Sequence, residues 1–288
     1  MPTVMDLCGI DLQRYSKLNF HGKSLKPLLV DPDHDWQDRT IVTDSQRLPY
    51  PVKWRQSAVM SQQWRLINGC ELYDIIQDRG QTHDLSDQHP DIVNQLRSAY
   101  EQWWEIVSIK FDDDIPITIG HPDEPVTCLT AHDWRDPNHV PGSDPFVKES
   151  NDYLVYNQAH IRKGLGQNGY FEIHVQQHGC YQFELQRWPR EEPATMTKGI
   201  AHSDDGWRKD VIHPRHYDEY SGGIAIAFTT AGIRIGNHEQ TKRIEPKSHA
   251  AIFNLELESG DYHLTTWLRT DEGLERGAYY VYVSLMDQ

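Results

Sequence analysis

Residues 170–186, YFEIHVQQHGCYQFELQ, hold the pattern on which the fold of the larger part of the chain turns. Phe171, Ile173 and Val175 share one face of an extended strand, and Tyr181, Phe183 and Leu185 share one face of the next, because strand side chains alternate with a period of two. His178-Gly179 between them reads as the turn of a hairpin. The alternation recurs in Ile224, Ile226 and Phe228, in Phe253, Leu255 and Leu257, in Tyr262, Leu264 and Thr266, and in Tyr280 and Tyr282 opposite Val281 and Val283. Ala231-Gly232 and Ser259-Gly260-Asp261 read as turns between neighbours. Several antiparallel strands, each with one apolar face, hide those faces by stacking as two sheets. Residues 111–288 are therefore expected to form an all-β sandwich, jelly-roll-like.

The first part of the chain follows a different rule. In SDQHPDIVNQLRSAYEQWWEIVS, residues 86–108, Ile92, Leu96, Ala99, Trp103 and Val107 recur at helical spacing, while Asn94, Arg97, Ser98 and Glu101 fall elsewhere. Pro90 suits the first turn of this helix, and Asp91 sets negative charge against the positive end of its dipole. Ahead of it lie short strand-like runs at 41–45, 57–61, 64–69 and 71–75, with Asn68-Gly69 a strong hairpin signal between the last two. Strands followed by one covering helix predict a small antiparallel sheet plus one long helix, an α+β layer over residues 1–110. Such a layer is thin for an independent unit.

The 288 residues suffice for two domains of ordinary size. The formal net charge of −15, with no cluster of Lys and Arg, sets nucleic acid aside as a partner, since phosphate backbones are repelled. No apolar run approaches the roughly 18 residues that cross a bilayer, so a membrane role is set aside as well. MPTVMDLCGIDLQRYSK lacks a basic region followed by an apolar one, so no secretory signal is read there and localisation stays open. Cys8, Cys70, Cys128 and Cys180 are scattered without C-x-x-C spacing, which predicts buried free thiols.

Several segments of the first part, read in order, carry a resemblance. They are PTVMDLCGI at 2–10, GKSLKPLL at 22–29, WQDR at 36–39, WRLI at 64–67, ELYDI at 71–75 and DRGQTHDL at 78–85. Together they resemble the C-terminal portion of bacterial arylsulfatase-type sulfatases of the alkaline-phosphatase-like superfamily. The second part, through NGYF at 168–171, QRWP at 186–189 and GAYYV at 277–281, looks like the sandwich module that trails some of these enzymes. The resemblance implies a sulfuric ester hydrolase in which the cysteine of a C-x-[PA]-x-R motif becomes formylglycine and attacks sulfur beside a calcium ion. It also implies that the family is often periplasmic or secreted.

This chain departs from that pattern. Its cysteines stand in Cys8-Gly9-Ile10-Asp11, Cys70-Glu71-Leu72-Tyr73, Cys128-Leu129-Thr130-Ala131 and Cys180-Tyr181-Gln182-Phe183, and none has the required residues two and four positions on. In the family, the nucleophile, the calcium-binding aspartates and most sulfate-contacting residues come from the larger N-terminal catalytic domain. That domain is the partner the resemblance implies; calcium and formylglycine belong to it. No catalytic residue and no cofactor is assigned to this chain, and turnover by the chain alone is not expected, because ester cleavage needs an activated nucleophile and a cation to steady developing charge.

The remaining constellations each have a plain reading beside the functional one. Lys53 and Arg55, around Trp54, are candidates for meeting an anionic sulfate ester; a loop held by Trp54 packing is the plain reading. His132-Asp133, the set His202, Asp204, Asp205, His213 and His216, and Asp112-Asp113-Asp114 contain metal-ligating groups, but chance grouping and a solvated linker explain them, so no metal site is assigned. Neither G-x-S-x-G nor a phosphate-binding G-x-x-x-x-G-K-[ST] occurs. Trp188, Trp207, Tyr217, Tyr220 and Trp267 are candidates for a platform under sugar rings, plain or sulfated, and interior packing explains them equally well. Two functions compete: the C-terminal part of a sulfatase with an accessory sandwich, and a stand-alone carbohydrate-binding sandwich with a vestigial sulfatase tail.

Overall fold

The structure, a computed structural model, describes residues 1–15, 17–18, 20–46, 51–111, 113, 115–137, 155, 158–165, 168–202 and 222–286. Contacts divide the chain into two compact units, one from Met1–Gln46 with Lys53–Ser108 and one built mainly from Ile109–Gln288. Among the described residues no helix is long and apolar enough to cross a membrane.

The first unit opens with two short helices, α1 at Pro2–Leu7 and α2 at Lys26–Val30. It continues with strands β1 at Ile41–Asp44, β2 at Ser57–Met60, β3 at Trp64–Ile67 and β4 at Glu71–Asp74, then the long helix α3 at Pro90–Val107. The strands form one antiparallel sheet in sequence order. Asn68-Gly69 is the β3–β4 turn, with φ of 49° and 73° and Cys70 N–H donating to the Ile67 carbonyl at 3.0 Å. Positive φ at both central residues matches the turn type whose twist suits paired strands. Glycine is needed at 69 for a second reason: a Cβ there would stand 2.8 Å from the Trp54 ring.

Helix α3 buries Val93, Leu96 and Tyr100 against Val59, Leu66 and Leu72 of the sheet. The expected line through Ile92, Ala99 and Trp103 flanks this face, partly buried. The buried stripe is thus centred about one residue round the helix. Tyr100 explains the shift, because its hydroxyl finds polar partners inside and the ring can sink fully.

The second unit contains β5 at Ile117–Ile119, β6 at Val126–Thr130, the short helix α4 at Gln158–Arg162, β7 at Tyr170–Val175 and β8 at Gly179–Gln186. It continues with β9 at Phe228–Ile235, β10 at His238–Arg243, β11 at Ala251–Leu257, β12 at Gly260–Thr270, β13 at Glu275–Arg276 and β14 at Tyr280–Leu285. One sheet runs β10-β9-β12-β7-β5 with β13 on β12; the other runs β11-β8-β14-β6. A single cluster drawn from both, including Phe171, Phe183, Ile233, Phe253, Leu264 and Val281, makes the core between them. Among the described strands the pairings are antiparallel except β5 with β7, which is parallel and departs from the uniformly antiparallel sandwich expected.

Three local expectations are corrected. Strands β7 and β8 are not a hairpin: β7 pairs with β12, while β8 pairs with β11 and β14 in the other sheet. Residues 176–178 therefore carry the chain from one sheet to the other. Ala231-Gly232 is no turn but lies inside β9, and the β9–β10 turn falls at Gly236-Asn237. Ile224 and Ile226 precede β9 without joining a sheet; the Ile224 carbonyl accepts from the guanidinium of fully buried Arg187 at 2.7 Å. The free edge strand β10 is exposed along its length and polar, which discourages pairing with another chain.

Candidate functional site

Helix α1 is joined to the start of α2 by polar groups. The Asp6 carboxylate accepts from Ser24 Oγ at 2.7 Å and Lys26 Nζ at 2.9 Å, which lie just ahead of and within α2, and Thr3 Oγ1 accepts from the Leu25 N–H at 3.0 Å. The hydrogen bonds from Ser24 and Lys26 hold the Asp6 carboxyl below its ordinary range. Several apolar side chains of α1 and α2 are left in solvent. Pro2 and Met5 are buried, yet Val4 and Leu7, three apart on one helix face, are exposed, and Leu29 and Val30 of α2 are 64% and 76% exposed. Half of the exposed large apolar side chains among the described residues fall between Met1 and Ile41.

The Lys53-Trp54-Arg55 loop serves the packing of its own unit. Trp54, with φ of 67°, stacks on Tyr100, donates its backbone N–H to the Tyr100 hydroxyl at 2.9 Å and its indole N–H to Glu101 at 3.1 Å. Lys53 forms an ion pair with Glu101, and this bond holds the Glu101 carboxyl below its usual range. Lys53 is thus already paired, and Arg55 is half-buried beside it.

The sugar platform is not assembled from the described residues. Trp188 is 2% exposed, with its indole N–H donated to the Lys198 carbonyl at 3.0 Å. Trp267 is 7% exposed and lies across Gly232, where a Cβ would stand 2.0 Å from the ring. Both rings fill the protein and offer no open face. Trp207, Tyr217 and Tyr220 lie outside the described residues.

No group of three or more potential metal ligands occurs among the described residues. Asp133 is committed to capping its own turn, accepting from Thr130 N–H and Oγ1. Asp113 meets Lys110 at 2.8 Å; Asp112, Asp114, Asp204, Asp205, His213 and His216 lie outside the described residues. All four cysteines are free as expected, but Cys8, Cys70 and Cys128 are exposed rather than buried.

Two grooves emerge that the sequence did not single out. In the first unit a cavity of about 650 Å³ is walled by Asp38, Arg39 and the β2–β3 turn and floored by Trp64 and α3. In the second, a smaller cavity of about 400 Å³ lies beside Glu172, Asp261 and His263 on β7 and β12. There Glu172 faces His263 across the strands, His174 Nδ1 meets Asp261 at 2.6 Å, and Tyr170 and His263 rings lie 4.4 Å apart. The polar phase of β7 contained the signal for the second groove, but only the strand register joins it to β12.

No family model matches the chain, and no curated protein matches it. Among solved structures the chain is similar to a ruminal GH26 endo-β-1,4-mannanase, at 12% identity and a TM-score of 0.26. The match covers 56% of this chain and 26% of that one, so the chain spans about a quarter of that structure's length. A likeness this shallow carries no argument about function.

Proposed function

We propose that this chain is the C-terminal portion of an arylsulfatase-type sulfuric ester hydrolase, with residues 1–110 docking on a catalytic domain and the sandwich acting as an accessory module. The observation that carries the reading is the bare apolar side of the N-terminal segment, with Val4, Leu7, Leu29 and Val30 turned to solvent while Asp6, Ser24 and Lys26 are bonded to one another. The sulfatase resemblance runs through these same residues, 2–10 and 22–29, and names the class of partner. The meander of four strands under one long helix agrees with the small α+β layer the resemblance implies.

In this role the chain supplies stability and borders substrate access, while formylglycine and calcium reside in the catalytic domain. None of its four cysteines stands in the C-x-[PA]-x-R motif that formylglycine formation requires. The test is a fluorogenic aryl sulfate assay on the purified chain with calcium present. The expected result is no product above buffer; release of sulfate by the chain alone overturns the proposal.

A further inference from the structure

We propose that the cavity of about 400 Å³ in the second unit binds a primary alkylammonium group, with the Glu172 carboxylate as its counter-ion. The volume falls in the range of small-molecule sites, roughly 300–1,000 Å³. The inference rests on residues of the sandwich alone and stands or falls separately from the docking role of residues 1–110.

The charge of the ligand follows from the lining. Pro116, Glu172, Ile173, Asp261, Tyr262 and His263 surround the cavity, which thus holds two carboxylates and neither Lys nor Arg. Strand register sets His174 opposite Asp261 and Glu172 opposite His263, but the two rungs differ. His174 Nδ1 meets Asp261 Oδ1 at 2.6 Å, so Asp261 has a partner already. Glu172 has none at that range. His263 Nε2 stands 4.0 Å from Glu172 Oε1, beyond hydrogen-bond reach, and Glu172 Oε2 is buried with no hydrogen bond. The Glu172 side chain is only 15% exposed. A carboxylate taken that far out of water without a donor is costly, and a cation that brings its own N–H groups removes the cost. The two oxygens exchange by rotation about one broad terminal torsion, so a donor arriving from the cavity serves either.

An ammonium also fits the gap beside Glu172. The 4.0 Å from Glu172 Oε1 to His263 Nε2 is spanned by one nitrogen donating to both at about 2.8 Å, the length of a charge-assisted bond. The neutral imidazole protonated on Nδ1 accepts at Nε2, and the third ammonium proton is left for Asp261 in the same cavity. Tyr170 packs on the His263 ring, centroids 4.4 Å apart, and steadies it. A metal ion is a poorer match, since no three potential ligands come together among the described residues and calcium takes six or more oxygens. The cavity exceeds what an ammonium fills, and Pro116 gives the alkyl part an apolar neighbour.

Proton NMR of the histidine rings in the full chain, titrated with n-butylammonium, tetramethylammonium, n-butanol and butyrate, tests the inference. Tetramethylammonium has the charge without N–H donors, butanol the alkyl chain without the charge, and butyrate the opposite charge. The expectation is a saturable shift of the His263 signals with n-butylammonium, at about tenfold or more higher affinity than any other probe. Glu172→Gln should erase that preference without lowering the thermal midpoint, because it discharges a buried carboxylate that has no donor. Asp261→Asn, at an exposed side chain, should weaken n-butylammonium by about threefold. The inference is overturned if n-butylammonium gives no saturable shift, if another probe binds as tightly, or if Glu172→Gln binds it as wild type does. A lowered midpoint for Glu172→Gln overturns it as well, since the carboxylate then has a partner in the free protein.

Discussion

The indole of Trp54 lies flat on the phenol ring of Tyr100, ring centroids 3.7 Å apart and planes 21° from parallel, while the Trp54 backbone N–H donates to the Tyr100 hydroxyl. One pair of residues, 46 positions apart, thus joins the loop before β2 to the middle of α3 by stacking and by a hydrogen bond at once. The same hydroxyl lies 3.4 Å from Asp44 at the end of β1. Loop, helix and edge strand meet at one oxygen.

Removing that oxygen separates the two contributions. Tyr100→Phe keeps the stack but leaves the Trp54 N–H without its acceptor, so the first unit should lose about 1–3 kcal/mol, the cost of an orphaned buried donor. Tyr100→Ala removes the ring as well and should cost about 3–5 kcal/mol. Urea unfolding followed by tryptophan fluorescence measures both. An unchanged midpoint for Tyr100→Phe contradicts the assignment of the hydroxyl as a support, and equal losses for the two variants contradict a contribution from the stack.

Alkaline pH should loosen the first unit ahead of the second. Burial pushes the Tyr100 phenol up to about 12, so between its ordinary value near 10 and about 12 the unfolded chain releases a proton that the folded unit keeps. Stability is complete below pH 10 and falls as pH rises through that window. Tyr279 in the sandwich is also raised by burial, to about 12. There, however, burial disfavours the charged form of the Arg187 guanidinium and brings it down to about 10, a shift of the opposite sign. The two contributions oppose each other in the sandwich. Near-ultraviolet dichroism of wild type and Tyr100→Phe from pH 9 to 12 checks this: wild type should show an early transition that the variant lacks.

The contact between Gly232 and Trp267, cross-strand partners on β9 and β12, sets a third expectation. Gly232→Ala places a methyl inside the van der Waals envelope of the indole and should cost about 1–3 kcal/mol through overpacking. The displaced indole should shift tryptophan emission to the red. Unchanged emission and midpoint show that the ring has room, contrary to the description given above.

How far the sequence reveals the fold depends on the kind of information asked of it. Alternation in Phe171, Ile173 and Val175 identifies the buried face of β7, because burial and period are local properties. It does not identify the partner strand, since a crossing between sheets and a hairpin place those three side chains inward alike. The helix spacing marks α3, while Tyr100, a residue read as neither polar nor apolar, moves its buried stripe by one position. Trp188 and Trp267 look like platform residues because composition cannot tell an indole that fills the interior from one that faces water. The Glu172 groove was illegible for a related reason: Glu172 on β7 and His263 on β12 lie far apart in the chain and meet only once the two strands have paired.

The bare apolar side of the N-terminal segment is the claim on which the functional account rests, and the full chain tests it directly by its binding of a hydrophobic fluorescent dye. The account predicts bright, saturable emission from wild type and a clear fall when Val4→Lys, Leu29→Lys and Val30→Lys are combined, with the sandwich's thermal transition unmoved. Dark wild-type protein that unfolds cooperatively, or emission identical in the triple variant, contradicts it.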